Sequence, residues 1–218
     1  MKRKRLGFTL LEMTIAMVIT AMTGLSVAGV TMVLGEANDR GQDFYQSVQT
    51  GRSAVMKIQT LIRGAKLVTA STSTSLVLWA EDTDGDGLIS LSETVLLTFD
   101  TQAREIRVYR VVYPATMAEE TRAALDASKS LADLASVSTV TTTITCDTYC
   151  SSTVLAPDVS AFRLSVWPAV PMTKLVRFQL TVGLGTSAVT LRSAASTRAG
   201  ATGRVQVVNS EYVLTAPN

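Results

Sequence analysis

Asp82, Asp84 and Asp86 alternate with small residues at the start of Asp82-Thr83-Asp84-Gly85-Asp86-Gly87-Leu88-Ile89-Ser90-Leu91-Ser92-Glu93. Carboxylates packed this closely repel one another strongly unless a cation neutralises them. The spacing is that of a twelve-residue calcium loop. Asp82, Asp84 and Asp86 offer hard oxygens at positions one, three and five, Gly87 permits the sharp turn at six, and Leu88 offers its backbone carbonyl at seven. Ser90 can hold a ligand water at nine, and Glu93 closes the loop as a bidentate ligand at twelve. One structural Ca2+ is therefore expected, at the roughly 10⁻⁴–10⁻³ M affinity of extracellular modules. The flanks differ from the helices of an EF-hand: residues 76–80 and 94–99 read as strands, and no second loop is present to pair with. The loop is expected to join a hairpin and pin its register. The plain alternative is an acidic hairpin turn, because Asp-Gly is a strong turn signal by itself.

Other chemistry is sparse. The chain has no histidine, which removes the commonest general base and the commonest zinc ligand. It shows no Gly-x-Ser-x-Gly elbow and no phosphate-binding glycine loop, so no enzyme is expected. The formal charge of +2 is near balance and gives no reason to expect nucleic acid. Cys146 and Cys150 enclose three residues. Outside the cytosol they could form a local disulfide; free thiols are the alternative. Such a short loop would add little to global stability.

The remaining reactive group is out of place. Lys2, Arg3, Lys4 and Arg5 precede Leu6-Gly7, and from Phe8 to Leu34 the only ionisable residue is Glu12. As a helix this run would reach roughly 40 Å, enough to cross a hydrocarbon core of about 30 Å with tilt. The leading cations hold the N-terminus in the cytoplasm and send the C-terminal bulk across the inner membrane. A secretory signal has a shorter apolar region followed by its cleavage site, whereas here the one glycine that could mark cleavage comes first. A plain single-pass anchor leaves the carboxylate in the membrane helix unexplained, and such a group is functional by default.

Leu6-Gly7-Phe8-Thr9-Leu10-Leu11-Glu12 resembles the processing site of type IV prepilins and of the pseudopilins of type II secretion. The resemblance implies that prepilin peptidase cuts between Gly7 and Phe8 and N-methylates Phe8. It also implies that Glu12 neutralises the N-terminal amine of a neighbouring subunit during assembly. An ammonium and a carboxylate, each costly alone in lipid, become tolerable as a pair. Processing removes four cations and no anion, taking 20 cations against 18 anions to 16 against 18, so the formal side-chain charge moves from +2 to −2.

These groups need elements to position them. Four segments are expected: a leader (1–7), a transmembrane and assembly helix (8–34), its amphipathic continuation (35–64) and a periplasmic β-rich domain (65–218). Phe44, Val48, Val55, Ile58 and Ile62 form one helical stripe, with Gln46, Gln49, Lys57 and Arg63 opposite and Gly64 as the stop. Gly24, Gly29, Gly35, Gly41 and Gly51 predict bends or a short break. Strands are expected at 75–80, 94–99, 105–111, 162–167 and 175–182. Residues 118–134 are expected to be helical, 137–145 a threonine-rich strand or extended loop, and the tail after Arg198 partly loose. The fold class is α+β, a long N-terminal helix packed on a mainly antiparallel sheet, the pilin-like arrangement.

Residues 44–66, ending Ile62-Arg63-Gly64-Ala65-Lys66, also resemble the later helix of the larger, J-like minor pseudopilins and minor pilins. That resemblance implies a minor subunit near a filament tip, partnered by other pilin subunits and by secreted protein substrates. A minor pilin of a surface, adhesion or DNA-uptake pilus is the rival inside the family. The rival from another class is a membrane-anchored, calcium-dependent binding domain that never polymerises.

Overall fold

A computed structural model describes residues 9–145, 148–198, 201–208 and 211–215. Gly7 and Phe8, which flank the expected cut, and Cys146 lie outside the described residues. The chain divides into two compact units, Met1–Tyr45 and Gln46–Asn218. Helix α1 (Leu10–Gly64) contributes to both.

In the first unit every described side chain from Thr9 to Arg40 is exposed, including Leu10, Ile15, Met22, Leu25 and Val33. The hydroxyls along this run bond back to the helix: Thr14 donates to the Leu11 carbonyl at 2.9 Å, Thr20 to Ala16 at 2.8 Å and Thr31 to Val27 at 2.8 Å. Polar side chains satisfied within the helix are compatible with an apolar surrounding. The short break expected at the glycines does not occur; α1 is continuous. Gly24, Gly29, Gly35 and Gly41 have open space where a side chain would stand, so no neighbour forces a kink. Each glycine weakens the helix by about 1 kcal/mol without breaking it.

In the second unit Ile58 and Ile62 are fully buried, as the stripe predicts, and Gly51 and Ala54 join them on that face. Phe44, in the first unit, is exposed instead. A β-carbon on Gly51 would lie 2.5 Å from Leu191 Cδ1, so the missing side chain lets the helix approach closely.

Five strands form an antiparallel meander in chain order: β1 (Leu67–Ser71), β2 (Ser75–Trp79), β3 (Thr94–Asp100), β4 (Glu105–Val111) and β5 (Cys150–Ala156). A second sheet comprises β6 (Val159–Trp167), β7 (Leu175–Val182) and β8 (Val189–Ser196). The hairpin β9 (Val205–Val208) and β10 (Glu211–Leu214) orders part of the tail expected to be loose. One core joins Ala54, Ile58 and Ile62 of α1 to Leu76, Leu97 and Val108 of the first sheet and to Phe162, Phe178 and Leu180 of the second. A second core lies under Leu67, Val77, Trp79 and Leu96, capped by Ile89, Leu134, Val140 and Ile144. The first sheet is therefore covered on both faces, which is why β2 reads as a continuous apolar run without alternation.

Residues 137–145 form a helix, α3 (Val137–Thr145), rather than the expected strand or loop. Val140 and Ile144, one turn apart, plug the second core. The threonine hydroxyls do not hold the chain extended: Thr142, Thr143 and Thr145 donate to the carbonyls of Ser138, Thr139 and Thr141. Tertiary burial overrides β-propensity. The helix expected over 118–134 shrinks to α2 (Glu119–Leu125), none of whose residues is buried.

Gly183 sits at φ +90°, where a β-carbon would be 2.9 Å from the Ser187 carbonyl oxygen and 2.7 Å from Ser47 Oγ. Gly183→Ala is expected to destabilise the chain by about 1–3 kcal/mol, read as a lowered thermal midpoint. Gly85→Ala, at φ +75° but in open space, separates backbone strain from crowding and should cost less.

Candidate functional site

Two sites emerge. At the start of α1, Thr9 and Glu12 bond reciprocally. The Thr9 amide donates to Glu12 Oε2 at 2.9 Å, the Thr9 hydroxyl to the same oxygen at 3.1 Å, and the Glu12 amide to Thr9 Oγ1 at 3.3 Å. This is a capping box: it satisfies donors that begin a helix and places a carboxylate at the positive end of the dipole. The membrane carboxylate thus has partners within its own chain before any neighbour arrives. Thr9 was not among the expected site residues, although Thr-x-x-Glu ahead of an apolar run is its sequence signal.

The second site is the loop between β2 and β3. Those strands pair antiparallel from Ser75↔Thr98 to Trp79↔Thr94, and the Ala80 amide closes on the Glu93 carbonyl at 2.9 Å. The twelve residues do interrupt a hairpin, as expected from the flanks. Ile89 and Leu91 are buried in the second core, and Ile89 bridges to Lys129. From the other side, Asp126 accepts from the Ser92 amide at 2.9 Å.

Asp82, Asp84 and Asp86 converge, each offering a carboxylate oxygen, all within 4.8 Å of one another. Two oxygens at about 2.3–2.6 Å from a common Ca2+ lie at most about 5.2 Å apart, so the three are close enough to share one hard cation. Each also ties the loop. Asp82 accepts from the Gly87 amide at 3.3 Å, Asp84 from the Asp86 amide at 3.1 Å and Asp86 from the Leu88 amide at 2.6 Å. Gly85 and Gly87 take φ of +75° and +73°. Leu88 is exposed, and Ser90 is buried with its hydroxyl 3.3 Å from that of Ser92.

Glu93 stands apart from this trio. It is only 4% exposed, and its Oε2 accepts from the Trp79 indole N–H at 3.0 Å and from the Ser90 amide at 3.5 Å. Its Oε1 accepts from the Thr83 amide. Trp79 is fully buried, with Lys66 Nζ 5.1 Å and the Arg204 guanidinium carbon 6.0 Å from its ring centroid. Lys66 also pairs with Asp82 Oδ2 at 3.0 Å. Burial works to raise the Asp82 carboxyl, but the Lys66 ammonium and the Gly87 and Gly85 amides prevail and hold it below the usual aspartate value. Arg204 donates to the carbonyls of Gly87 and Thr215, tying the loop to the end of the β9–β10 hairpin. Trp79, Lys66 and Arg204 carry no local motif; Arg204 reaches the loop from 117 residues away.

Cys150 is half-buried and begins β5 opposite Val111. Its expected partner lies outside the described residues.

Residues 2–28 match a family model described as the prokaryotic N-terminal methylation motif. The match spans the basic leader, the Gly7–Phe8 bond, Glu12 and most of the apolar run, and gives the chain a type IV prepilin-like N-terminus. Such a motif implies processing by prepilin peptidase and assembly with other pilin subunits. Among the described residues one helix is long and apolar enough to cross a membrane, which fits a membrane-anchored, single-pass pilin-like protein. No curated protein and no solved structure matches the chain.

Proposed function

We propose that this chain is a minor pseudopilin or minor pilin. It is cut between Gly7 and Phe8, N-methylated on Phe8 and assembled through α1 into a type II secretion pseudopilus or a related type IV pilus. The observation that carries the reading is the coincidence of the methylation motif with a stretch of α1, residues 10–34, whose apolar side chains are all exposed around a single carboxylate. That surface suits lipid first and neighbouring helices afterwards. Glu12, held by Thr9 in the isolated chain, exchanges its capping partners for the N-terminal amine of a neighbour. The N-terminus starts in the cytoplasm, the second unit is periplasmic, and secreted proteins are the partners of the assembled tip. Two apolar cores and a cation loop favour a specialised subunit over the bulk one.

Mass spectrometry of the protein purified from membranes tests this. The expected N-terminus is methylated Phe8. An intact Met1 would instead support a plain anchor carrying a binding domain.

The loop of residues 82–93 is proposed to hold one structural Ca2+ through Asp82, Asp84, Asp86, the Leu88 carbonyl, a water on Ser90 and Glu93. Its role is to pin the β2–β3 hairpin. At the affinity of extracellular modules, 10 mM calcium should stabilise the protein by about 1.4–2.7 kcal/mol. The thermal midpoint should rise accordingly and fall back on chelation. Asp84→Ala should abolish the rise while leaving the calcium-free midpoint nearly unchanged, since Asp84 is exposed. A wild-type midpoint indifferent to calcium would remove the ion from the reading.

A further inference from the structure

A cleft of about 760 Å³ opens beside the end of α1, lined by Arg63, Lys66, Arg198 and Arg204 against Glu81 and Asp82. Lys66 and Asp82 neutralise one another at 3.0 Å, which leaves three guanidiniums facing one carboxylate. Arg204 is held by the Gly87 and Thr215 carbonyls and by the Trp79 ring, none of which cancels its charge. Arg63 and Arg198 are exposed and form no ion pair among the described residues. The Arg198 amide donates to the Ala65 carbonyl at 3.2 Å, which fixes that segment beside the end of α1. The guanidiniums thus reach one space from three separate stretches of chain. A single carboxylate fork engages one or two of them, so a ligand that uses all three carries several carboxylates.

The cleft also shares groups with the loop of residues 82–93. Asp82 opens that loop and is the partner of Lys66 in the cleft. Arg204 lines the cleft and donates into the loop at Gly87. A divalent ion on the loop aspartates is the largest charge in its surroundings, and it draws on the same carboxylate that cancels Lys66. Loading the loop therefore leaves four cations in the cleft with one carboxylate, Glu81, still free to balance them.

We propose that the arginine cleft binds an acidic peptide segment of a secreted protein, and that Ca2+ in the loop strengthens this binding. The proposal rests on the readings above for its partner and its ion. Arginine clusters are a recurrent means of recognising acidic segments. Coupling between the two sites is reciprocal, so a bound acidic segment tightens the loop's hold on calcium by the same factor.

The test is isothermal titration calorimetry of the full chain in mild detergent, with acetylated tetraglutamate as the probe and tetraglutamine as its uncharged counterpart. Only tetraglutamate should bind, and calcium in place of chelator at matched ionic strength should tighten it about fivefold or more. Arg63→Glu with Arg198→Glu should weaken it at least about tenfold. The thermal midpoint of that variant should still rise with calcium, which shows that its fold and loop persist. Asp84→Ala, outside the cleft lining, should keep the affinity seen in chelator and lose the gain from calcium. A gain that survives in Asp84→Ala belongs to calcium on the peptide and overturns the coupling. No tetraglutamate binding, or binding indifferent to the arginine reversals, overturns the cleft assignment. Equal affinity with and without calcium, in a chain whose midpoint does rise with calcium, overturns the coupling and leaves the ion in place. A wild-type midpoint indifferent to calcium overturns the ion and the coupling together, and the cleft is then judged on the chelator titration. The Phe8 mass spectrum tests the filament reading separately.

Discussion

A Gly7→Leu chain is expected to accumulate in the membrane at its full 218-residue length, with no methylated Phe8 and no entry into filaments. The proposed cut lies beside Gly7, inside residues 2–28 that match the methylation motif, and a branched side chain at that bond is expected to obstruct the peptidase. The electrostatic consequence is larger than the loss of seven residues suggests. Lys2, Arg3, Lys4 and Arg5 stay attached to the helix. Dragging a cation through the bilayer centre costs at least ~2.5–3.5 kcal/mol on insertion scales, so four together oppose extraction by on the order of 10 kcal/mol. The unprocessed amine also stands seven residues before the position that would meet a neighbour's Glu12. Intact mass, together with recovery in a sheared filament fraction, gives the readout. A full-length variant found in filaments would show that neither the cut nor the lost charge is needed for assembly.

Trp79→Ala is expected to produce the largest loss of stability of any single substitution around the loop. Removing a fully buried tryptophan typically costs about 3–5 kcal/mol in transfer and cavity terms. Here it also strips the Glu93 carboxylate, only 4% exposed, of the indole donor at 3.0 Å. Trp79→Phe separates the two effects. It keeps most of the apolar volume and deletes the N–H, leaving a buried acceptor short of a partner at about 1–3 kcal/mol. Both variants are compared with wild type by thermal unfolding of the full chain in mild detergent with chelator present, so that ion binding does not contribute. An unchanged midpoint in Trp79→Phe would mean that the Thr83 and Ser90 amides alone satisfy Glu93. If Glu93 is the closing ligand of the proposed calcium site, such variants should also respond differently to calcium, because the indole holds that carboxylate.

The local devices of this protein were legible because each is confined to a few consecutive residues. Leu6-Gly7-Phe8 and Glu12 stand out against an apolar run, and the Asp82–Glu93 spacing needs only the chain's own turn to bring three aspartates together. The strands at 105–111 and 175–182 matched their observed bounds because alternation records a sheet with unlike faces. The edge strands β5 and β8 escaped notice: Ser151, Ser152 and Thr153 are exposed, and β8 is built largely of small residues. Such segments become strands through pairing with β4 and β7 rather than through their own pattern.

The sequence by itself determined the long apolar helix, the methylation motif with its out-of-place carboxylate and the three-aspartate turn, since each is written in a few consecutive residues or in their periodicity. Only the tertiary structure decided that Val137–Thr145 is helical, because Val140 and Ile144 are wanted one turn apart over the second core. It alone turned Glu93 toward Trp79, placed Lys66 on Asp82, and brought Arg204 across 117 residues to the Gly87 carbonyl. Those partners are selected by burial and by charge left unpaired at a distance, and neither quantity exists until the sheet has closed around the loop.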